Sequence, residues 1–142
     1  MPQSWVYEHT IGTLDLSVEH LGAHLVVCIS GSDAPHIGSV TLSSPRPSLT
    51  GSGMSATSSV LNRLGHKDEA IARYVSEALS AHLNTVVCCV CGIHKDYASP
   101  EDIASCSTLG EELVQFLLDK LPIIEHAPLD PNNSPDERHH HE

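Results

Sequence analysis

The chain has 142 residues, 40% of them hydrophobic and only 4% aromatic, enough for one domain around an aliphatic core. Lys and Arg number 7 against 18 Asp and Glu, a formal net charge of −11, and no basic stripe exists to neutralise a run of phosphates, which disfavours nucleic acid. No stretch of roughly 18 apolar residues suggests a membrane span, the first ten residues lack the pattern of a signal peptide, and 5 cysteines with three crowded at Cys88, Cys89 and Cys91 argue for a reducing cytoplasm rather than a disulfide framework.

Residues 5–10 and 13–20 read as an antiparallel hairpin. In the second segment Leu14, Leu16 and Val18 alternate with Asp15, Ser17 and Glu19, the period of a strand with one wet face. After a turn at Gly22, residues 25–29 (LVVCI) are apolar on both faces and are expected near the middle of a sheet. Residues 30–38 read as a loop and 39–43 as a fourth strand. Residues 44–59 are rich in Pro, Gly, Ser and Thr and read as a long loop, with a short strand over 58–64 at its end.

From Asp68 the period becomes helical. Ile71, Tyr74, Val75, Ala78, Leu79, His82 and Leu83 share a face, Asp68 and Glu69 suit the positive end, and Asn84 suits the stop. Residues 85–93 (TVVCCVCGI) read as a strand covered on both sides. Ser99-Pro100-Glu101-Asp102 is a capping signature. Gly110 is expected to interrupt the helix that follows, Thr108 with Glu111 to restart it, and Pro122 to end it. Its buried stripe is Leu113, Val114, Leu117, Leu118 and Leu121. The predicted fold is α+β: a mainly antiparallel sheet of five to six strands with two long helices on one face. The predicted domain covers 1–125, with a disordered acidic, His-bearing tail at 126–142.

Chemistry concentrates where elements end. Asp33-Ala34-Pro35-His36-Ile37-Gly38 follows the third strand, Gly65-His66-Lys67-Asp68 enters the first long helix, and Gly92-Ile93-His94-Lys95-Asp96 leaves the buried strand. If the strands are co-aligned, these loops meet on one rim. His36, His66 and His94, with Asp33 and Asp96, would then offer a first or second shell for a divalent metal. Lys67 at a helix start, Arg46 and the hydroxyls of Ser55, Thr57 and Ser58 offer a phosphate cradle, against the plainer alternative of a solvated loop. The CxxC spacing of Cys88 and Cys91 is no zinc knuckle, because the two residues point to opposite faces of a strand. GxxxxGK[ST], GxGxxG and GxSxG are absent, so no reaction is fixed.

PHIG (35–38), the SAT-S-V stretch (55–60), GHKD (65–68) and GIHKD (92–96) resemble a family of small proteins. These accompany UbiD-type hydroxyarylic-acid decarboxylases as accessory components of gallate and related decarboxylase systems. The resemblance runs over about residues 14–121. It implies a prenylated-flavin chaperone, not itself a decarboxylase, with a proteasome-assembly-chaperone-like fold and a homodimeric state. The implied cofactor is prenylated FMN (or FMN), with a divalent metal. The implied partners are a UbiD-type decarboxylase and a flavin prenyltransferase. On this sequence it implies that His36, His66 and His94 contact metal or flavin. Lys67, Arg46, Ser55, Thr57 and Ser58 would take the phosphate, beside Asp33, Gly38, Gly65 and Asp96. Two other readings compete: a metal-dependent small-molecule enzyme using the three histidines, and a ligand-free dimeric assembly chaperone.

Overall fold

Alternating apolar residues drive the first half of the chain into strands. In the computed structural model, which describes residues 2–49, 51–63 and 67–121, the strands are β1 (Gln3–His9), β2 (Gly12–Leu21), β3 (His24–Ser32), β4 (Ser39–Pro47), β5 (Met54–Asn62) and β6 (Val87–His94). Helix α1 (Lys67–Leu83) links β5 to β6, and α2 (Pro100–Ser105), a 3-10 turn (Cys106–Thr108) and α3 (Leu109–Lys120) follow. The expected tail at 126–142, Pro122, Gly65 and His66 lie outside the described residues.

The six strands form one sheet in the order β1-β2-β3-β6-β4-β5. Every neighbouring pair is antiparallel except β3 and β6. The α+β architecture with both long helices on one face is as the sequence implies. Leu14, Leu16 and Val18 of β2, Leu25, Val27 and Ile29 of β3, and Val87, Cys89, Cys91 and Ile93 of β6 all face those helices and are buried. They meet Ile71, Ala72, Val75 and Leu79 of α1 and Leu109, Leu113 and Leu117 of α3. Full burial of each such Leu, Ile or Val contributes about 1.5–3 kcal/mol. At the β1 edge the Phe116 ring packs edge-on to Trp5 and Tyr7, with centroids 6.4 and 5.2 Å away.

Burial pushes the thiols of Cys89 and Cys91 far up, and that of Cys88 less. These thiols pack as small apolar groups rather than nucleophiles. Cys88 sits on the opposite sheet face from Cys89 and Cys91, which rules out the zinc knuckle as expected.

The segment expected as a loop over 44–59 is instead a long hairpin. Strands β4 and β5 pair from Ser39↔Asn62 out to Pro47↔Met54. Proline in a strand is tolerated where its missing N–H has no ladder to serve. Pairing of β4 with β6 stops at Ser43, so Pro45 and Pro47 lie beyond it on a strand with one free side. The inner face of this hairpin is hydroxylic: Ser39, Thr41 and Ser43 are buried beneath α1. Ser76 Oγ lies 2.6 Å from Ser43 Oγ. Ser43 lies 2.7 Å from Ser58 Oγ, which donates to Glu77 Oε1 at 2.8 Å.

That polar seam corrects the expected buried stripe of α1. Ile71, Ala72, Val75, Ser76, Leu79 and Ser80 go in, while Tyr74 and His82 are exposed. Small serines replace bulky side chains where the helix meets the hydroxyls. Of the two expectations for the last helix, one is corrected and one holds in part. The break falls at the 3-10 turn, and Gly110 lies inside α3, where a Cβ would come within 3.0 Å of the Tyr74 ring. The helix does restart at Thr108, the N-cap of α3, but without the capping hydrogen bond; the hydroxyl is 3.5 Å from Glu112 Oε2.

Candidate functional site

Strands β3 and β4 are consecutive in the chain, yet β6 lies between them. Their connection must therefore span two strand spacings, about 10 Å, over the end of β6. It does so in hydrogen-bonded contact. The N–H groups of Asp33 and Ala34 donate to the His94 carbonyl at 2.8 and 3.2 Å, His36 N to Gly92 O at 3.4 Å, and Gly38 N to Cys91 O at 3.0 Å. Gly92 has to be glycine, because a Cβ there would land inside the His36 carbonyl.

Asp68, in the first turn of α1 and almost wholly buried, fastens three elements. Its Oδ1 accepts the Ile93 N–H at 3.0 Å and lies 3.9 Å from the Cys91 thiol. Its Oδ2 lies 3.2 Å from His36 Nε2. The other nitrogen of that ring, Nδ1, is 2.9 Å from the Ala34 carbonyl, so two acceptors orient the imidazole. The carboxylate also fills the place of a side chain at Gly38, where a Cβ would meet Asp68 Cγ at 2.7 Å.

A second set of bonds fixes the loop after β6. Asp96 N donates to Asp33 Oδ2 at 2.8 Å, and His94 Nε2 lies 3.0 Å from Asp96 Oδ1. Lys95 Nζ donates to Asp102 Oδ1 at 3.1 Å. Asp102 and Ser99 form the expected capping box, with Pro100 in the first helical positions. The Ser99 backbone N–H, and then Lys95, hold the Asp102 carboxyl below its ordinary range. Between these ties lies Tyr97, with φ of 53° and a fully exposed side chain.

The structure thus brings Asp33, His36, Gly38, His94 and Asp96 to one rim. Lys67 opens α1 beside them. Gly65 and His66 of the second motif lie outside the described residues. Arg46, Ser55, Thr57 and Ser58 are elsewhere. Arg46 pairs with Ser55 in the part of the hairpin beyond Ser43↔Val87, at the end of the sheet where β6 begins. Seven residues of strand separate Ser39 from Arg46, roughly 23 Å. Arg46 Nε donates to Thr57 Oγ1 at 2.9 Å, and Ser58 belongs to the seam under α1. A single pocket joining this group to the histidines does not form.

Sequence reasoning missed Asp68 as a rim residue, because a first-turn Asp reads as an ordinary helix-dipole partner. It also missed Arg63, whose N–H donates to Gly38 O at 2.9 Å and whose Nη1 donates to Ile37 O at 3.3 Å. The signal lay in Gly38 and Gly92, two glycines outside any turn that demands positive φ. A metal shell does not close among the described residues, where no three His, Cys, Asp or Glu side chains gather around one point. His36 and His94 each face a carboxylate of their own. The described residues hold no helix long and apolar enough to cross a membrane.

The fold is similar to a solved chain from the "Crystal Structure of a Novel Chaperone Complex for Yeast 20S Proteasome Assembly", with a TM-score of 0.57 at 11% identity, covering 85% of this chain and 98% of that one. At that identity the likeness is one of fold. No curated protein matches the sequence. A family model described as "Prenylated flavin chaperone LpdD-like domain" matches residues 9–122.

Proposed function

The chain belongs to the prenylated flavin chaperone LpdD-like family, and from that premise we propose that it holds prenylated FMN at the rim and passes it to a UbiD-type decarboxylase. The observation that carries this reading is the knot at Asp68, which ties the His36 loop, the start of α1 and the end of β6 into one rigid surface. A flavin brings a redox-active three-ring plane and a phosphate, and the protein supplies binding and orientation. The rim suits that group as an open platform. The His36 and His94 edges offer polar contacts to the ring system. Arg63 and the N-terminus of the 17-residue α1 offer cationic and N–H partners for the phosphate. The Arg46, Ser55 and Thr57 group is too far away to serve the same ligand at the same time.

Co-expression with a flavin prenyltransferase tests the proposal. The wild type is expected to carry prenylated FMN, identified by absorption and by mass spectrometry of the extracted ligand. His36→Ala should retain at least about tenfold less, the loss of one well-oriented polar contact or more. A colourless wild type under both aerobic and anaerobic handling sinks the reading. Elemental analysis of the same samples checks the His36, His66 and His94 metal shell, which predicts one divalent ion per chain, lost in His66→Ala.

A homodimer is a second proposal, favoured by the uncovered face of the sheet. Opposite the helices, Val26, Cys28, Cys88, Val90 and Val40 are only half-buried, and Leu42 and Leu61 are 48% and 75% exposed. Contiguous apolar surface of this kind marks an interface. Wild-type protein should elute as a dimer at micromolar concentration. Leu42→Asp, which sets a charge on each copy, should be monomeric with an unchanged circular-dichroism spectrum. A monomeric wild type removes the proposal.

A further inference from the structure

Among the described residues three non-glycine positions have positive φ: Ser32 at 61°, Asn84 at 51° and Tyr97 at 53°. Asn84 follows the last residue of α1, where a left-handed Asn commonly ends a helix. Ser32 leads into the connection across β6. Tyr97 has no comparable local reason, because Gly or Asn would make its turn without the crowding that a bulky side chain meets in the left-handed region.

The chain is poor in aromatic residues, with 1 Trp, 3 Tyr and 1 Phe. Trp5, Tyr7 and Phe116 pack together, and Tyr74 lies against Gly110. The remaining one, Tyr97, stands fully in solvent. It is not a loose loop tip. On one side Asp96 is held by Asp33 and His94; on the other, Ser99 and Asp102 form the cap of α2, to which Lys95 is also tied. The backbone is over-determined, and the ring is held out from a fixed point on the rim. Non-glycine residues kept in this conformation by their surroundings cluster at ligand clamps.

We propose that Tyr97 is the stacking residue of the rim, lying face to face on the planar ring system of the bound flavin; this rests on the flavin-carrier reading above. A tyrosine suits that task, since its flat face has only two side-chain torsions to freeze. His94, which ends β6, and Asp96, the residue before Tyr97, are both exposed and would border the ring edge with polar groups. Stacking of a nucleobase on an aromatic side chain is worth about tenfold to a hundredfold in affinity, and the same scale applies to an isoalloxazine.

Two variants separate the ring from the turn. Tyr97→Phe keeps the plane; Tyr97→Asn keeps the left-handed turn and removes the plane. Each full-length protein is dialysed to equilibrium against enzymatically made prenylated FMN, and bound flavin is quantified by absorption. Wild type and Tyr97→Phe are expected to bind alike. Tyr97→Asn should bind at least about tenfold more weakly while melting no lower than wild type, since Asn tolerates this backbone. Equal binding by Tyr97→Asn overturns the inference and leaves the carrier reading intact, whether or not transfer to the decarboxylase is lost; a loss of transfer alone would assign the ring to a protein contact. Failure of all three proteins to bind overturns the carrier reading itself. Weaker binding by Tyr97→Phe equal to that of Tyr97→Asn overturns stacking in favour of the hydroxyl.

Discussion

Asp68→Ala should lower the melting temperature by roughly 10 °C and abolish retention of the flavin. The carboxylate is buried and accepts the Ile93 N–H, so its removal strands a buried donor at a cost of about 1–3 kcal/mol. The lost interaction with the start of α1 adds about 0.3–1 kcal/mol. Together these come to about 1.3–4 kcal/mol, and a domain of this size loses roughly 3–5 °C per kcal/mol. His36 would keep its contact with the Ala34 carbonyl but lose its second anchor at Nε2. Asp68→Asn retains an acceptor for Ile93 and should lose about half as much. Thermal melts of both variants decide the matter: an Asp68→Ala protein melting within ~2 °C of wild type means the carboxylate is not the tie.

Gly92→Ala is expected to damage the rim even more selectively. The added methyl would occupy the space of the His36 carbonyl. Neither neighbour yields without breaking bonds, because one is the central strand and the other is backbone hydrogen-bonded to it at four points. Overpacking costs about 1–3 kcal/mol and occasionally more. The cheapest escape is for the 33–38 connection to lift off β6, taking His36 away from Asp68. The variant should therefore keep its far-ultraviolet spectrum, melt several degrees lower and carry no flavin. Gly110→Ala is the matched control. There the methyl meets the Tyr74 ring at 3.0 Å, a side chain that can swing, and alanine improves helix propensity by about 1 kcal/mol. Loss of flavin from Gly110→Ala as well would point to general destabilisation.

The sequence was legible wherever one pattern dominated. Period-two apolar residues gave β2, unbroken apolar runs gave β3 and the central β6, and the Ser99–Asp102 signature gave the start of α2. Of the β4–β5 hairpin only the stretches 39–43 and 58–62 were legible as strand; the outer part was not, because its inward face carries Ser43 and Ser58 and its outer end carries Pro45 and Pro47. Both features imitate a loop in composition. The same misreading put Arg46 and its hydroxyl neighbours beside the histidines, when an extended hairpin carries them to the far end of the sheet. The loops bearing His36 and His94 do meet, as strand co-alignment implies. Asp68 stayed hidden because nothing in a first-turn Asp reveals that its side chain turns inward to a neighbouring strand. Backbone hydrogen bonds to side chains have no periodicity to read.

The placement of β6 between β3 and β4 also sets an order of assembly. As the chain leaves the ribosome, β1, β2 and β3 can pair at once through short turns, and so can β4 with β5. These are low-contact-order events and fast. The strand that unites the two halves is made last, and its parallel partnership with β3 spans the whole hairpin and α1. Until β6 arrives, the 33–38 connection has no floor and Asp68 has no Ile93 to hold. The rim is therefore one of the latest features of the fold to exist, and a cofactor that needs it can be captured only by a finished chain.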